Sequence, residues 1–548
     1  INNSGLVRAV RASGEGGEIH LLSGAAILNS GALDASAEAG AGGEITLAAE
    51  TINQSGQITA KAAGTGEGGE ISLLATNAIA MHSGSLIDAS ADQVGDAGDV
   101  VIIAEKSTWF TEDSNINARG GEIAGDGGFV EVSGLEFINV AGNVNTGASN
   151  GEGGLWYIDP TDITITDGAA GDFNSDFTGG NPNNWYPNSG QNASTISVTS
   201  LRNQLVNHGN VRIATNYMSP SNTGVTGNIT FDAVFDFDGL GTGRSITLEA
   251  DNQIIFTRYG GIWDSSGEGD GLNLNFTAAN GFIIEDSNPT APIPEDRELG
   301  GIVNSGLGTI NITVLDGDAL VTGLASAATG LDAIKLDVQN GAIIENGNSL
   351  WDVMLLTNGG GVTLKAQSGI SGLSIRNNEG GVSLLDASTT TGNISGVRAA
   401  GHLEISRLVV GSTSSAAVSA EGQLTIGSGA QLIGNSFDFE SDTHILIPNG
   451  FTTAGTLRLD APDITNLTFA RTLNFGADHL IIDTEATGGN LTINSTVNTL
   501  SVTNRSTNTI IVDDTDDLIL GTIEPLVGAI MVSSGSGTDL TVGEDINL

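Results

Sequence analysis

The 548 residues carry 64 acidic against 18 basic side chains, a formal charge of -46, with 79 glycines, 10 prolines and no cysteine. Nucleic acid and anionic membrane surfaces are disfavoured as partners, because each needs clustered cations, and here four lysines and 14 arginines are scattered along the chain, so no nucleic acid is expected. Without cysteine there is no disulfide framework, thiolate nucleophile or thiolate metal site. No run approaches the ~18 apolar residues of a membrane span, so no membrane insertion is expected. The chain opens at Ile1 without an initiating Met or signal peptide, as a mature or excised segment would.

From the first residues the chain repeats. Gly-Gly-Glu-Ile occurs at Gly16 to Ile19, Gly42 to Ile45 and Gly68 to Ile71, and the second-glycine anchors Gly17, Gly43, Gly69, Gly98, Gly128 and Gly154 are 26, 26, 29, 30 and 26 residues apart. After each anchor apolar residues alternate with polar ones, the period-two signature of a strand with one buried face. The predicted inward columns are Ile19, Ile45, Ile71, Val100, Val130, Trp156 and, two residues on, Leu21, Leu47, Leu73, Ile102, Val132, Ile158. A second recurrent strand supplies Leu33, Ile58, Ile87, Ile116 and Val144, each followed by a polar residue (Asp34, Thr59, Asp88, Asn117, Asn145) expected to face outward, and then by a small inward one. One such winding cannot bury its apolar columns, whereas stacked windings bury them continuously. The prediction is an all-β chain, a parallel β-helix (β-solenoid) with a few extra-helical loops.

Three stretches succeed one another in chain order. Residues 1–165 form regular windings of 26 to 30 residues. Residues 166–225 are an irregular excursion: Asp167 to Thr195 lacks alternation and contains Pro182, Trp185, Tyr186 and Pro187, and a short helix is expected over Ser200 to Gly209, with Ser200 as its cap. Residues 226–548 continue the β-helix with shorter windings, as in Gly361-Val362-Thr363-Leu364 and Gly381-Val382-Ser383-Leu384, then Gly401 to Ile405 and Gly422 to Ile426. The proline-containing segment Asn288 to Gly300 is a second excursion. At ~4.8 Å per winding the stack would extend on the order of 100 to 120 Å.

The opening Ile1 to Ala9, the Gly-Gly-Glu-Ile units, Leu33-Asp34-Ala35-Ser36 and Ile87-Asp88-Ala89-Ser90 resemble the filamentous-haemagglutinin type of bacterial exoprotein. The succession Gly127 to Gly134, Val144-Asn145-Thr146 and Leu155 to Ile165 is similar to the region after the secretion domain of large two-partner-secretion adhesins. The resemblance implies a right-handed β-helix, a partner outer-membrane transporter during export, a secreted or cell-surface location and a host-cell, glycan or matrix receptor. The missing cysteines suit passage of an unfolded chain through a narrow barrel. Terminal windings without evident caps would permit homotypic end-to-end assembly.

On this reading the chain is no enzyme, and its mechanism is geometric. The candidate contact residues are Trp185, Tyr186 and the neighbouring Asn184, a composition suited to stacking on sugars or protein. The acidic column Glu18, Glu44, Glu70, Asp99 is the candidate metal site: carboxylates ~4.8 Å apart repel by about 0.9 kcal/mol per pair in water, which Ca²⁺ would relieve, although exposed glutamates that splay apart and are screened by ions, a solvated face, are the simpler explanation. No other cofactor is expected. The alternatives are a β-helical carbohydrate-active enzyme, a polysaccharide lyase or hydrolase drawing on Asp513, Asp514, Asp516 and Asp517, and a haem-capturing exoprotein. The six histidines lack short metal-ligand spacings.

Overall fold

A computed structural model describes residues 1–167, 194–207, 209–215, 226–265, 269–285, 301–346, 355–377, 381–448, 450–468, 470–535 and 537–543. Contacts divide the chain into two units, Ile1–Gly308 and Thr309–Leu548. Each is built of parallel strands from successive windings, the expected parallel β-helix.

In the first unit the predicted column is the observed one. Ile19 pairs with Ile45, Ile45 with Ile71, Ile71 with Val100, Val100 with Val130, and Val130 with Trp156. All but Ile19, which is 5% exposed, are completely buried. The third strand of each winding forms a separate six-stranded parallel sheet, with Leu33, Ile58, Ile87, Ile116 and Val144 in register. Burying each such aliphatic side chain contributes roughly 1.5–3 kcal/mol.

The paired glycines of the repeat are explained by the corner between windings. A Cβ on Gly69 would lie 2.0 Å from the Gly43 carbonyl oxygen, and one on Gly43 would lie 2.0 Å from that of Gly17. Backbone therefore rests on backbone there, and no side chain fits.

The polar residues beside the third-strand column face outward less completely than their alternation implies. Asp88 is only 6% exposed. Asp34, Asp88 and Asn145 each accept a hydrogen bond from the backbone N–H two residues on, at Ser36, Ser90 and Gly147. They fold back to turn the chain at the corner, which buries Asp88 and half-buries Asp34 and Asn145.

The stretch assigned to an irregular excursion is partly integrated into the stack. Strand Ser194–Ser197 lies between Phe137–Val140 and Ile163–Thr166, pairing with both, so the regular structure resumes before Thr195. Helix α1 then spans Val198–Val206, and its cap is Ser197 rather than Ser200: the Ser197 hydroxyl accepts from Ser200 N at 3.0 Å. Leu201 and Leu205 form the buried face as anticipated. After α1 the windings continue, and Phe231 stacks on Phe256 in register, ring centroids 4.9 Å apart.

In the second unit Ile334 pairs with Val362, and Val362 with Leu385 rather than with Val382. The Gly361 and Gly381 strings are thus offset by three residues from the alignment their similarity suggests. In Val382–Thr389 the inward residues are Ser383, Leu385 and Ala387, while Val382 is 44% exposed. A one-residue slip exchanges the two faces, and the adjacent Leu384-Leu385 makes both phases look apolar in sequence. The next two spacings hold, with Val382 opposite His402 and Leu403 opposite Leu424. No helix among the described residues is long and apolar enough to cross a membrane.

Candidate functional site

Helix α1 interrupts the simplest part of the fold. The third-face sheet ends at Asn143–Asn145, and α1 packs over that last strand. Its side chains take over the work of a strand backbone. Gln204, fully buried, accepts from Thr146 N at 3.3 Å and donates to Thr146 Oγ1 at 2.6 Å and Asn210 O at 3.1 Å. Asn203 donates to Asn143 Oδ1 at 2.5 Å. On its other side Arg202 donates to the carbonyls of Asp236 and Asp238, at 2.7 and 2.6 Å.

Replacing a strand by a helix leaves a step in the wall, and a polar cleft of about 820 Å³ opens there. Lys61, Arg119 and Arg244 reach it, as do Asp92, Glu122 and Glu152, with Asn145, Asn207 and Asn210. Arg244, 7% exposed, donates from Nε to Leu205 O and from Nη1 to Thr242 O at 3.3 Å. Burial depresses its pKa, and the charge of Asp270 opposes that shift. Asp92 is occupied as an acceptor for Gly64 N at 2.8 Å. Nothing in the linear spacing of these residues marks the cleft. Lys61 and Arg119 do occupy the same turn position, following the small inward residues Ala60 and Ala118, and that was the available signal.

The column proposed for metal is assembled in part. Glu18 lies opposite Glu44 and Glu44 opposite Glu70, and the Asp99 carbonyl accepts from Ile71 N in the next winding. The three glutamates line an open groove of about 400 Å³ with Arg11. Arg11 pairs with Glu18 at 2.9 Å and Glu44 accepts from Thr46 Oγ1 at 3.2 Å, so two carboxylates already have partners. Among the described residues, three ligand-type side chains meet within 4.8 Å at a different place, Asp238, Asp264 and Asp270. Hard carboxylate oxygens in such a group suit Ca²⁺, but Asp270 is committed to Gly239 N at 2.6 Å and Gly241 N at 2.5 Å.

Trp185, Tyr186 and Asn184 lie outside the described residues, as do His208 and the segment 288–300. Two of the aspartates suggested for chemistry brace the backbone. Asp514, 3% exposed, accepts from Ser495 Oγ at 2.6 Å, Val497 N at 3.1 Å and Asp516 N at 2.8 Å, and Asp517 accepts from Asp539 N at 2.8 Å. His444 sits 3.9 Å from Asp463, which Arg471 clamps with two bonds of 3.0 and 2.7 Å.

No protein-family model matches this chain, and no curated protein matches it. The site therefore stands on its own geometry. Elsewhere in the first unit, Tyr157 stacks on Phe129 and carries Arg212 over its ring at 4.9 Å. Burial, reinforced by the charge of Asp159, pushes the Tyr157 phenol up to about 12.

Proposed function

We propose that this chain is part of a secreted bacterial exoprotein of the adhesin or filament-forming type, a rigid β-helical spacer that holds contact loops away from the cell surface. The observation that carries the proposal is the uninterrupted register from Ile19 through Ile45, Ile71, Val100 and Val130 to Trp156. Such stacking makes each winding stiff through its neighbours. The charge of -46 disfavours lateral clumping, and the absence of cysteine favours export of an unfolded chain through an outer-membrane transporter. Function in this reading is attachment to a surface receptor without turnover. Electron microscopy of the purified protein, combined with binding of labelled protein to cultured host cells, tests it. Slender particles that bind are expected; compact globules, or particles with no affinity for any cell or matrix preparation, would overturn it.

A second reading, a carbohydrate-active enzyme, draws support from the polar cleft, where carboxylates and arginine meet. Polysaccharide depolymerisation with and without Ca²⁺ decides between them. Turnover abolished by Glu122→Gln or Glu152→Gln would favour the enzyme.

A further inference from the structure

Three of the protein's cations, Lys61, Arg119 and Arg244, meet at the cleft. Acidic residues outnumber basic ones 64 to 18, and several arginines elsewhere are held by carboxylates: Arg212 holds Glu249 at 2.6 Å and Arg471 holds Asp463 at 2.7 Å. Arg119 is exposed and takes no side-chain partner among the described residues. Lys61 lies 3.8 Å from Asp88, a loose contact with the lysine side chain 43% exposed. Arg244 at the base of the cleft bonds to carbonyl oxygens and feels the charge of Asp270.

The placement of these cations is regular. The Lys61 amide donates to Ser36 Oγ, and the Arg119 amide donates to Ser90 Oγ. Lys61 and Arg119 thus occupy one turn column, two windings apart, a separation of roughly 10 Å along the stack. Two positive groups at that distance suit an extended ligand that bears repeated negative charge. Glu122 and Glu152 are exposed at the same cleft with Ser149. Carboxylates cannot hold an anion, but they accept hydrogen bonds from hydroxyl groups. Cations and hydroxyl-acceptors in one cleft call for a ligand that carries both carboxylates and hydroxyls, and about 820 Å³ lies within the size range of ligand sites.

We propose that the cleft beside α1 binds an acidic oligosaccharide containing uronic acid, with sugar carboxylates on Arg119 and Lys61 and ring hydroxyls on Glu122 and Glu152. No bond is made or broken. The inference names a ligand class for the interaction protein proposed above, and its test is separable. Failure of sugar binding leaves the stacked spacer intact, whereas globular particles in the microscope would not affect a titration.

The test is calorimetric titration of the full chain with oligogalacturonate, oligoguluronate, hyaluronan and heparin-derived oligosaccharides, alongside neutral cello- and malto-oligosaccharides. At least one uronate is expected to bind, more weakly as salt rises. Arg119→Ala and Lys61→Ala should each weaken it about tenfold or more, while Arg119→Lys retains part of the affinity. Arg376→Ala, at an exposed arginine in the second unit, should leave it unchanged. Circular dichroism of each variant establishes that the windings remain. No binding by any uronate, equal binding of neutral sugars, or binding indifferent to both cleft substitutions would overturn the proposal.

Discussion

Gln204 donates to Thr146 Oγ1 at 2.6 Å and accepts from Thr146 N at 3.3 Å, so a helical side chain closes the edge that a further strand would otherwise cover. Gln204→Ala leaves the Thr146 amide and hydroxyl and the Asn210 carbonyl buried without this partner. At about 1–3 kcal/mol for each orphaned group, a loss of at least roughly 3 kcal/mol is expected. Hydrogen exchange should accelerate over 143–147 and 198–210, while amides of the early windings keep their protection.

Ile71 stands third in the inward column that runs from Ile19 to Trp156 and is completely buried. Ile71→Ala should cost about 2–5 kcal/mol and Ile71→Val about 0.5–1.5. Leu22→Ala, at a residue 66% exposed in the same face of the stack, should be nearly neutral. Urea unfolding followed by far-ultraviolet circular dichroism measures all three, and equal midpoints for Ile71→Ala and Leu22→Ala would contradict the stacking.

Gly69→Ala forces a Cβ to within 2.0 Å of the Gly43 carbonyl oxygen, whereas Gly5→Ala meets nothing within 4 Å. The first substitution should separate adjacent windings and give poorly soluble, protease-sensitive protein. The second should behave as the parent in limited proteolysis.

Burial lowers the pKa of His82 and of His444; for His444, Asp463 opposes the shift and Arg471 adds to it. A depressed histidine binds fewer protons folded than unfolded, so its stability contribution is full above about pH 6.5 and is lost as the pH falls through the folded value. Burial acts oppositely on Glu131, Glu345 and Asp483, whose raised pKa values favour the folded state below the ordinary carboxylate range, an advantage lost as the pH rises through their folded values. Melting temperature should therefore drop between about pH 7 and pH 5.5, and His444→Gln should flatten part of that slope. An unchanged slope would show that the His444 cluster does not contribute.

Tyr157 should ionise late. With burial and Asp159 holding it at about 12, its phenolate absorbance appears only at strongly alkaline pH. Asp159→Asn should bring the transition down, and Arg212→Ala should move it further up, because the guanidinium favours the phenolate. Absorbance titration at the phenolate band reads both directions.

The regular windings were legible because identical chemistry recurs at each level of the stack. Gly-Gly marks the corner where backbone meets backbone, and Ile45 or Ile71 points inward because alternate residues of a strand share a face. Legibility failed where two faces were equally apolar. Val382-Ser383-Leu384-Leu385 supports either phase, and pairing with Gly361–Ala366 and His402–Val409 selects the one that buries Ser383 and Leu385. It failed again at Ser194–Ser197, too short to display a period and identifiable only by the two strands it separates.

The sequence by itself determined the architecture, since repeated apolar columns of that spacing are buried only when windings stack. Tertiary structure alone decided the sites. Lys61 and Arg244 are 183 residues apart in the chain (244 − 61) yet border one cleft, and Asp238 meets Asp264 and Asp270. Both groupings depend on where helix α1 and the neighbouring turns displace a strand, a choice made by side-chain packing across windings, which no local pattern encodes.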